Sequence, residues 1–164
     1  MKIGSAFPLL LILVLSFLVA SISSAAIAPQ HGPSARGAGQ FLEPGVGRWQ
    51  FSFEAIANKN GRARGRAEFD NLTTQTQIDI RIDCLRVHTS EALITGIVLH
   101  SDDVDLPKGT NVEFAAVDGD LVSATFPDII TPVFPNSDPE GGCQNASPPL
   151  TMFQLPRDAI QIEP

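Results

Sequence analysis

The amino-acid sequence predicts an all-β protein, a single domain of about seven or eight short antiparallel strands closed as a sandwich or a small barrel. Three observations predict it. Beyond Trp49, apolar and polar residues alternate at period two in one segment after another. Clusters of Gly, Asn, Asp and Pro separate those segments. No stretch has the periodicity of an amphipathic helix, and no repeat of fixed length is present.

The chain opens with Lys2, an apolar run over 9–20 and small residues over 21–26, which reads as a secretory signal peptide. The apolar run is short for a bilayer span. Ser24 and Ala26 supply the small side chains that signal peptidase requires, whereas cleavage after Ala28 would leave Pro29 next to the cut. Cleavage after Ala26 is therefore expected, with the mature protein beginning near Ile27. The organisation that follows is a signal peptide over 1–26, a flexible lead-in over 27–48 and a β-domain over 49–164. The lead-in is assigned because Pro, Gly, Ser and Ala dominate it. About 138 residues remain after cleavage, enough for one core that buries roughly two thirds of the unfolded chain's surface.

From Trp49 the pattern is regular. Trp49, Phe51, Phe53, Ala55 and Ala57 share one side of a strand, with Gln50, Ser52 and Glu54 on the other. After Asn58, Lys59, Asn60 and Gly61 comes a second strand, with Ala63, Gly65, Ala67 and Phe69 opposite Arg62, Arg64, Arg66 and Glu68. Directly opposed residues of an antiparallel pair share a face, so paired numbers must sum to an even value. A two-residue turn at Asn60 and Gly61 would pair Ala57 with Arg64 and violate that rule. A three-residue loop over 59–61 satisfies it, places Gly61 where a left-handed backbone is needed, and sets Phe51 against Phe69, Phe53 against Ala67 and Glu54 against Arg66.

Ile78, Ile80, Ile82 and Cys84 continue the alternation, but Leu85 and Val87 have the other parity, which predicts a β-bulge near Cys84. Further strands are expected over 92–99, 112–117 and 121–126, the last two joined by a tight turn at Asp118, Gly119 and Asp120. The Pro-rich stretch over 127–149 excludes a long helix and reads as a loop or broken edge strand. Short closing strands are expected over 152–155 and 159–162.

Cys84 and Cys143 are the only cysteines, and an exported pair is expected to form a disulfide. Closing a loop of about 60 residues contributes roughly 4 kcal/mol in the chain-entropy treatment. Two thiols are too few to hold a structural zinc ion. The formal net charge is −7, and loss of Lys2 with the leader makes it one unit more negative. From Leu99 onward acidic side chains far outnumber Lys108 and Arg157, while Lys59, Arg62, Arg64 and Arg66 concentrate the positive charge. Such a balance argues against nucleic-acid and anionic-membrane partners and names no other; oligomeric state is not encoded in the pattern.

The only compact set of metal-type side chains is His100, Asp102, Asp103 and Asp105. It lacks the spacing of a calcium-binding EF loop, and HExxH is absent, so a solvated acidic turn is the expected reading and no metal site is assigned. Asp118 and Asp120 read as turn residues that accept local backbone hydrogen bonds. GxSxG is absent, bridged cysteines are poor nucleophiles, and no spacing singles out a catalytic pair among the 18 carboxylates. No catalytic residue and no cofactor is therefore expected. The outward row Arg62, Arg64 and Arg66 reads as a solvated face paired to Glu54 and Glu68, with carboxylate or sulfate binding as the alternative. One Trp and no Tyr leave little aromatic platform for sugars. The segments Asn71, Leu72, Thr73 and Asn145, Ala146, Ser147 match the glycosylation sequon, the second followed by the unfavourable Pro148.

Phe51 with Phe53, GRAEF over 65–69, IDCLRV over 82–87, TGIV over 95–98, VDGD over 117–120 and AIQI over 159–162 together resemble a group of small, uncharacterised secreted bacterial β-domains. The resemblance implies export and a β-rich fold, and it carries no catalytic or binding residue. The expected function is a secreted, non-enzymatic interaction module of the envelope or matrix. Two alternatives stand beside it, a metal-assisted hydrolase centred on His100, favoured if His100 and carboxylates converge in a cleft, and a small-ligand carrier, favoured if the sheet encloses an apolar cavity.

Overall fold

A computed structural model describes residues 32–58, 62–136, 142–143 and 151–164. Its strands are β1 (Ser34–Glu43), β2 (Gly47–Ala57), β3 (Arg62–Asn71), β4 (Thr76–His88), β5 (Glu91–Ser101), β6 (Asn111–Val117), β7 (Asp128–Ile130), β8 (Phe134–Pro135), β9 (Phe153–Leu155) and β10 (Ile160–Glu163). One short 3-10 turn, Gly119–Leu121, lies between β6 and β7. All ten strands belong to one antiparallel sheet in the order β10-β1-β2-β3-β4-β5-β6-β7-β9, with β8 added on β6, and the sheet curls into a half-barrel. The all-β, single-domain prediction holds, with more strands than expected.

The parity argument holds residue by residue. Phe51 opposes Phe69, Phe53 opposes Ala67 and Glu54 opposes Arg66. The Asn58 amide donates to the Arg62 carbonyl at 2.9 Å, closing the hairpin around the 59–61 loop. Gly61 itself lies outside the described residues, as do residues 1–26 expected as a signal peptide, the expected cleavage point after Ala26 and the sequon at Asn145. The bulge near Cys84 is also present, since the β4–β5 register shifts between Ile82 and Cys84. Ile78, Ile80 and Ile82 precede it on the inner face, and Leu85 follows on the same face after the slip.

The slip turns Cys84 outward. Leu93 and Ala115 have the opposite parity to the core residues Ile94 and Phe114, and with Cys84 and Cys143 they make a small second cluster on the outer face. The Cys84–Cys143 disulfide, with Cα atoms 5.7 Å apart, holds that cover in place. Burial on both faces explains why β5 and β6 lack clean alternation.

Two expectations are corrected. Residues 34–43, expected as part of a flexible lead-in over 27–48, form β1 between β2 and β10, and β2 itself begins at Gly47. Period two is present there, but its inner positions are Ala35, Gly37, Gly39 and Phe41, so small residues hide it. Gly37 opposes Phe53 and Gly39 opposes Phe51. A Cβ on Gly37 would come within 2.7 Å of both the Phe53 ring and Ile160, so the aromatic rings of β2 occupy the space that side chains of β1 would need. The second correction concerns residues 121–126, which form no strand: Leu121 ends the 3-10 turn and 122–126 continue as an exposed connection, with Leu121, Val122 and Phe126 facing solvent.

The reason lies in two buried carboxylates. Asp128 is fully buried; its Oδ1 accepts from the Gly119 amide and its Oδ2 from the Ile160 amide, both at 2.8 Å. Asp118 accepts from the Asp120 amide at 3.1 Å and, through its other oxygen, from the Ile162 amide at 3.0 Å. Alternate N–H groups of β10 that point away from β1 thus meet carboxylates rather than another strand, which closes the sheet edge chemically. Asp118 is the local turn acceptor expected, with this added long-range bond. Asp120 instead pairs with Arg157, whose Nε lies 2.8 Å from its Oδ1, and this hydrogen bond and charge raise the guanidinium pKa.

Candidate functional site

The sheet's curl brings the β1–β2 turn, the β3–β4 turn and the β5–β6 connection to one end of the half-barrel. Between them and residues 132–134 lies a cavity of about 180 Å³ lined by Phe41, Glu43, Val46, Trp49, Phe69, Ile78, Asp103, Leu106, Pro132, Val133 and Phe134. Phe41 anchors its aromatic wall: its ring stacks on Phe153 at 4.7 Å and lies 6.5 Å from Trp49. Trp49 is fixed by its indole N–H, which donates to Glu43 Oε2 at 2.8 Å. One apolar wall and two carboxylates, Glu43 and Asp103, line this space, with no Lys or Arg among its lining residues.

The β5–β6 connection is built to carry Leu106 into the mouth. The Asp102 amide donates to the Gln77 carbonyl at 3.0 Å, and the Gly109 amide to the Val98 carbonyl at 2.9 Å, which fixes both ends. Asp103 accepts from the Asp105 amide at 2.8 Å through Oδ1 while its own amide donates to Ser101 Oγ at 3.0 Å. Leu106 is buried in consequence.

That geometry separates the four metal-type candidates. His100 Nε2 lies 3.7 Å from Asp102 Oδ1, both side chains more than half exposed. Asp103 faces the cavity and Asp105 is exposed on the loop. Among the described residues no three His, Cys, Asp or Glu side chains converge as metal ligands. Asn71 is buried, and its Oδ1 accepts from the amides of Thr73 and Thr74 at 2.9 and 3.1 Å, so this sequon asparagine serves as the cap of the β3–β4 turn.

Glu113 is a second unusual group. On the outer face of β6 it opposes Thr95 and Phe134, is only 6% exposed, and its Oε2 has no hydrogen-bond partner among the described residues. Thr95, its cross-strand neighbour, gives its hydroxyl to Asp83 instead, at 3.1 Å. Burial pushes the Glu113 carboxyl above its ordinary 4.5. The folded state therefore holds that proton more tightly than the unfolded state does. This contribution to stability is complete below pH 4.5 and is lost as pH rises through the raised folded value. Glu113→Gln, which mimics the protonated acid, is expected to melt above the parent at pH 7. The difference should shrink to nothing in acid, as thermal melts across pH will show; a constant difference would contradict the assignment.

Little of this was visible as a site in the sequence. Trp49 and Glu43 flank a turn without any motif, and the cavity wall is drawn from several separate segments. Asp103 stood out only as part of the His100 cluster, and Glu113 carries a signal as a lone acid inside the apolar run over 112–117. Comparison with protein families, with characterised proteins and with solved structures finds no match to this chain. No helix among the described residues is long and apolar enough to cross a membrane. The disulfide is compatible with an extracytoplasmic location.

Proposed function

We propose that this chain is an exported, non-enzymatic binding domain that holds a small organic cation, an amine attached to one aromatic ring or branched apolar group, in the mouth of the half-barrel. The observation that carries this reading is the cavity itself, apolar and aromatic on its walls with Glu43 and Asp103 as the only charges among the described residues that line it. Its volume of about 180 Å³ suits one ring; a closed apolar cavity of roughly 150 Å³ already accommodates benzene. Drug-sized ligands and lipids occupy roughly 300 Å³ or more, so they are poor candidates. An ammonium group at the rim would meet two carboxylates in a setting partly shielded from water, where charge pairing outweighs what it yields on an open surface. With so few ligand atoms, a dissociation constant on the order of 0.1 mM is expected for a simple probe.

Trp49 is the only tryptophan and lines the cavity, so its fluorescence reports occupancy directly. Titration with phenethylammonium should saturate, and neutral phenethyl alcohol should bind about tenfold more weakly. Glu43→Gln with Asp103→Asn, which keeps an acceptor for the indole N–H, should erase that preference. Equal binding of amine and alcohol, or no saturable change, would sink the proposal. Export is supported by the leader and the disulfide, and the intact mass of the secreted protein tests it through a start near Ile27.

A further inference from the structure

We infer that the outer face of β3 and β4 is a docking surface for a linear acidic polysaccharide, one bearing carboxylate or sulfate groups along its length. Arg62, Arg64 and Arg66 project outward at alternate positions of β3 and all are exposed. Alternate residues of a strand lie about 6.6 Å apart, so the three guanidiniums form a row. Arg81 of β4 stands directly opposite Arg66, placing a fourth positive charge across from the row.

The β3–β4 register slips between Arg62 and Gly65, and this irregularity opens a shallow groove of about 520 Å³. Arg62, Arg64 and Arg81 border it together with one carboxylate, Asp83, so three positive charges face a single negative one. The expectation that Glu54 and Glu68 neutralise the row is met only in part. Arg66 has Glu68 and Asp79 nearby, each at 3.9 Å, whereas no carboxylate among the described residues lies within ion-pair distance of Arg62, Arg64 or Arg81.

Two physical arguments turn this patch into a site. Like charges directly opposed across a sheet destabilise it; Glu68 and Asp79 offset this on the Arg66 side, and an anion at Arg81 relieves what remains. In a chain of net charge −7, moreover, gathering unpaired arginines on one groove runs against the overall composition. A single exposed guanidinium–anion contact is weak and screened by salt, which disfavours a lone small anion. A row of them gains by multivalency when the ligand repeats its charge along an extended chain. Among the described residues the groove has no aromatic side chain on which bases could stack, and the chain's net charge opposes a polymer as densely charged as nucleic acid. An acidic polysaccharide meets each condition, and the surface lies apart from the cavity, so the two proposals stand or fall separately.

The test uses the full disulfide-bonded protein and an oligogalacturonate in calorimetric titration at low and high salt. Binding is expected at low salt, with weakening as salt is added. Arg64→Ala with Arg81→Ala should reduce affinity at least about tenfold, and Arg64→Lys with Arg81→Lys should recover part of it. Arg81→Thr alone should melt at or above the parent temperature, because it removes the opposed positive pair; this separates lost binding from lost folding. Absence of binding, equal binding of the methyl-esterified neutral polymer, or unchanged affinity in the alanine double variant would overturn the inference. Equal or tighter binding of oligothymidylate or polyglutamate would overturn it too, by assigning the surface to another class of polymer.

Discussion

Asp128→Ala is expected to remove about 2 to 6 kcal/mol of stability, since it strands two buried amide donors at about 1 to 3 kcal/mol each. The donors are those of Gly119 and Ile160, each 2.8 Å from one carboxylate oxygen. A small domain has only about 5 to 15 kcal/mol in total, so the variant will sit near its folding limit. Asp128→Asn keeps one acceptor and turns the other into a donor facing an amide, and should fall between parent and alanine variant. Urea denaturation of the three proteins measures the series. A loss below about 1 kcal/mol for Asp128→Ala would mean that β10 holds its place through β1 alone.

The disulfide is expected to have an effect of similar size. Cys84 and Cys143 are 59 residues apart in sequence, and closing such a loop contributes about 4 kcal/mol by restricting the unfolded chain. The bond also pins the cover over Leu93 and Ala115, which would otherwise expose apolar surface on the outer face. Cys84→Ala with Cys143→Ala should therefore lower the denaturation midpoint, and reducing agent should destabilise the parent while leaving the double variant unaffected. Equal midpoints for the oxidised and reduced parent would remove the disulfide from the account of stability.

The sequence revealed the fold wherever one face of a strand was chemically distinct from the other. Phe51, Phe53, Ala67 and Phe69 declared their face, and arithmetic on their numbers gave the register that the structure has. β1 stayed hidden because Gly37 and Gly39 pack by being absent, leaving room for rings supplied by β2. The 121–126 segment misled in the opposite direction: its apolar residues resemble a strand, but Asp118 and Asp128 spend their bonds on β10 and the 3-10 turn, and the chain between them faces solvent. Such long-range side-chain bonds leave no trace in local periodicity.

The candidate sites were legible to different degrees for the same reason. The outward arginine row follows from strand parity, yet Arg81 could be set against Arg66 only once the β3–β4 turn, which pairs Asn71 with Thr76, had fixed the register. The cavity depends on curvature, which joins residues from both halves of the chain, and no spacing in the sequence encodes it. Asp103 stood out in the sequence as a candidate metal ligand beside His100, and the structure places it in the lining of a largely apolar cavity.

The most direct measurement is chemical-shift mapping of the isotopically labelled protein during titration with phenethylammonium. The expected result is a set of saturable shifts centred on the Trp49 indole N–H and on Val46, Leu106 and Val133, with the arginine face of β3 and β4 unchanged. Shifts scattered over the acidic surface, or a Trp49 indole resonance that stays fixed while other regions move, would contradict the assignment of the half-barrel mouth as the binding site.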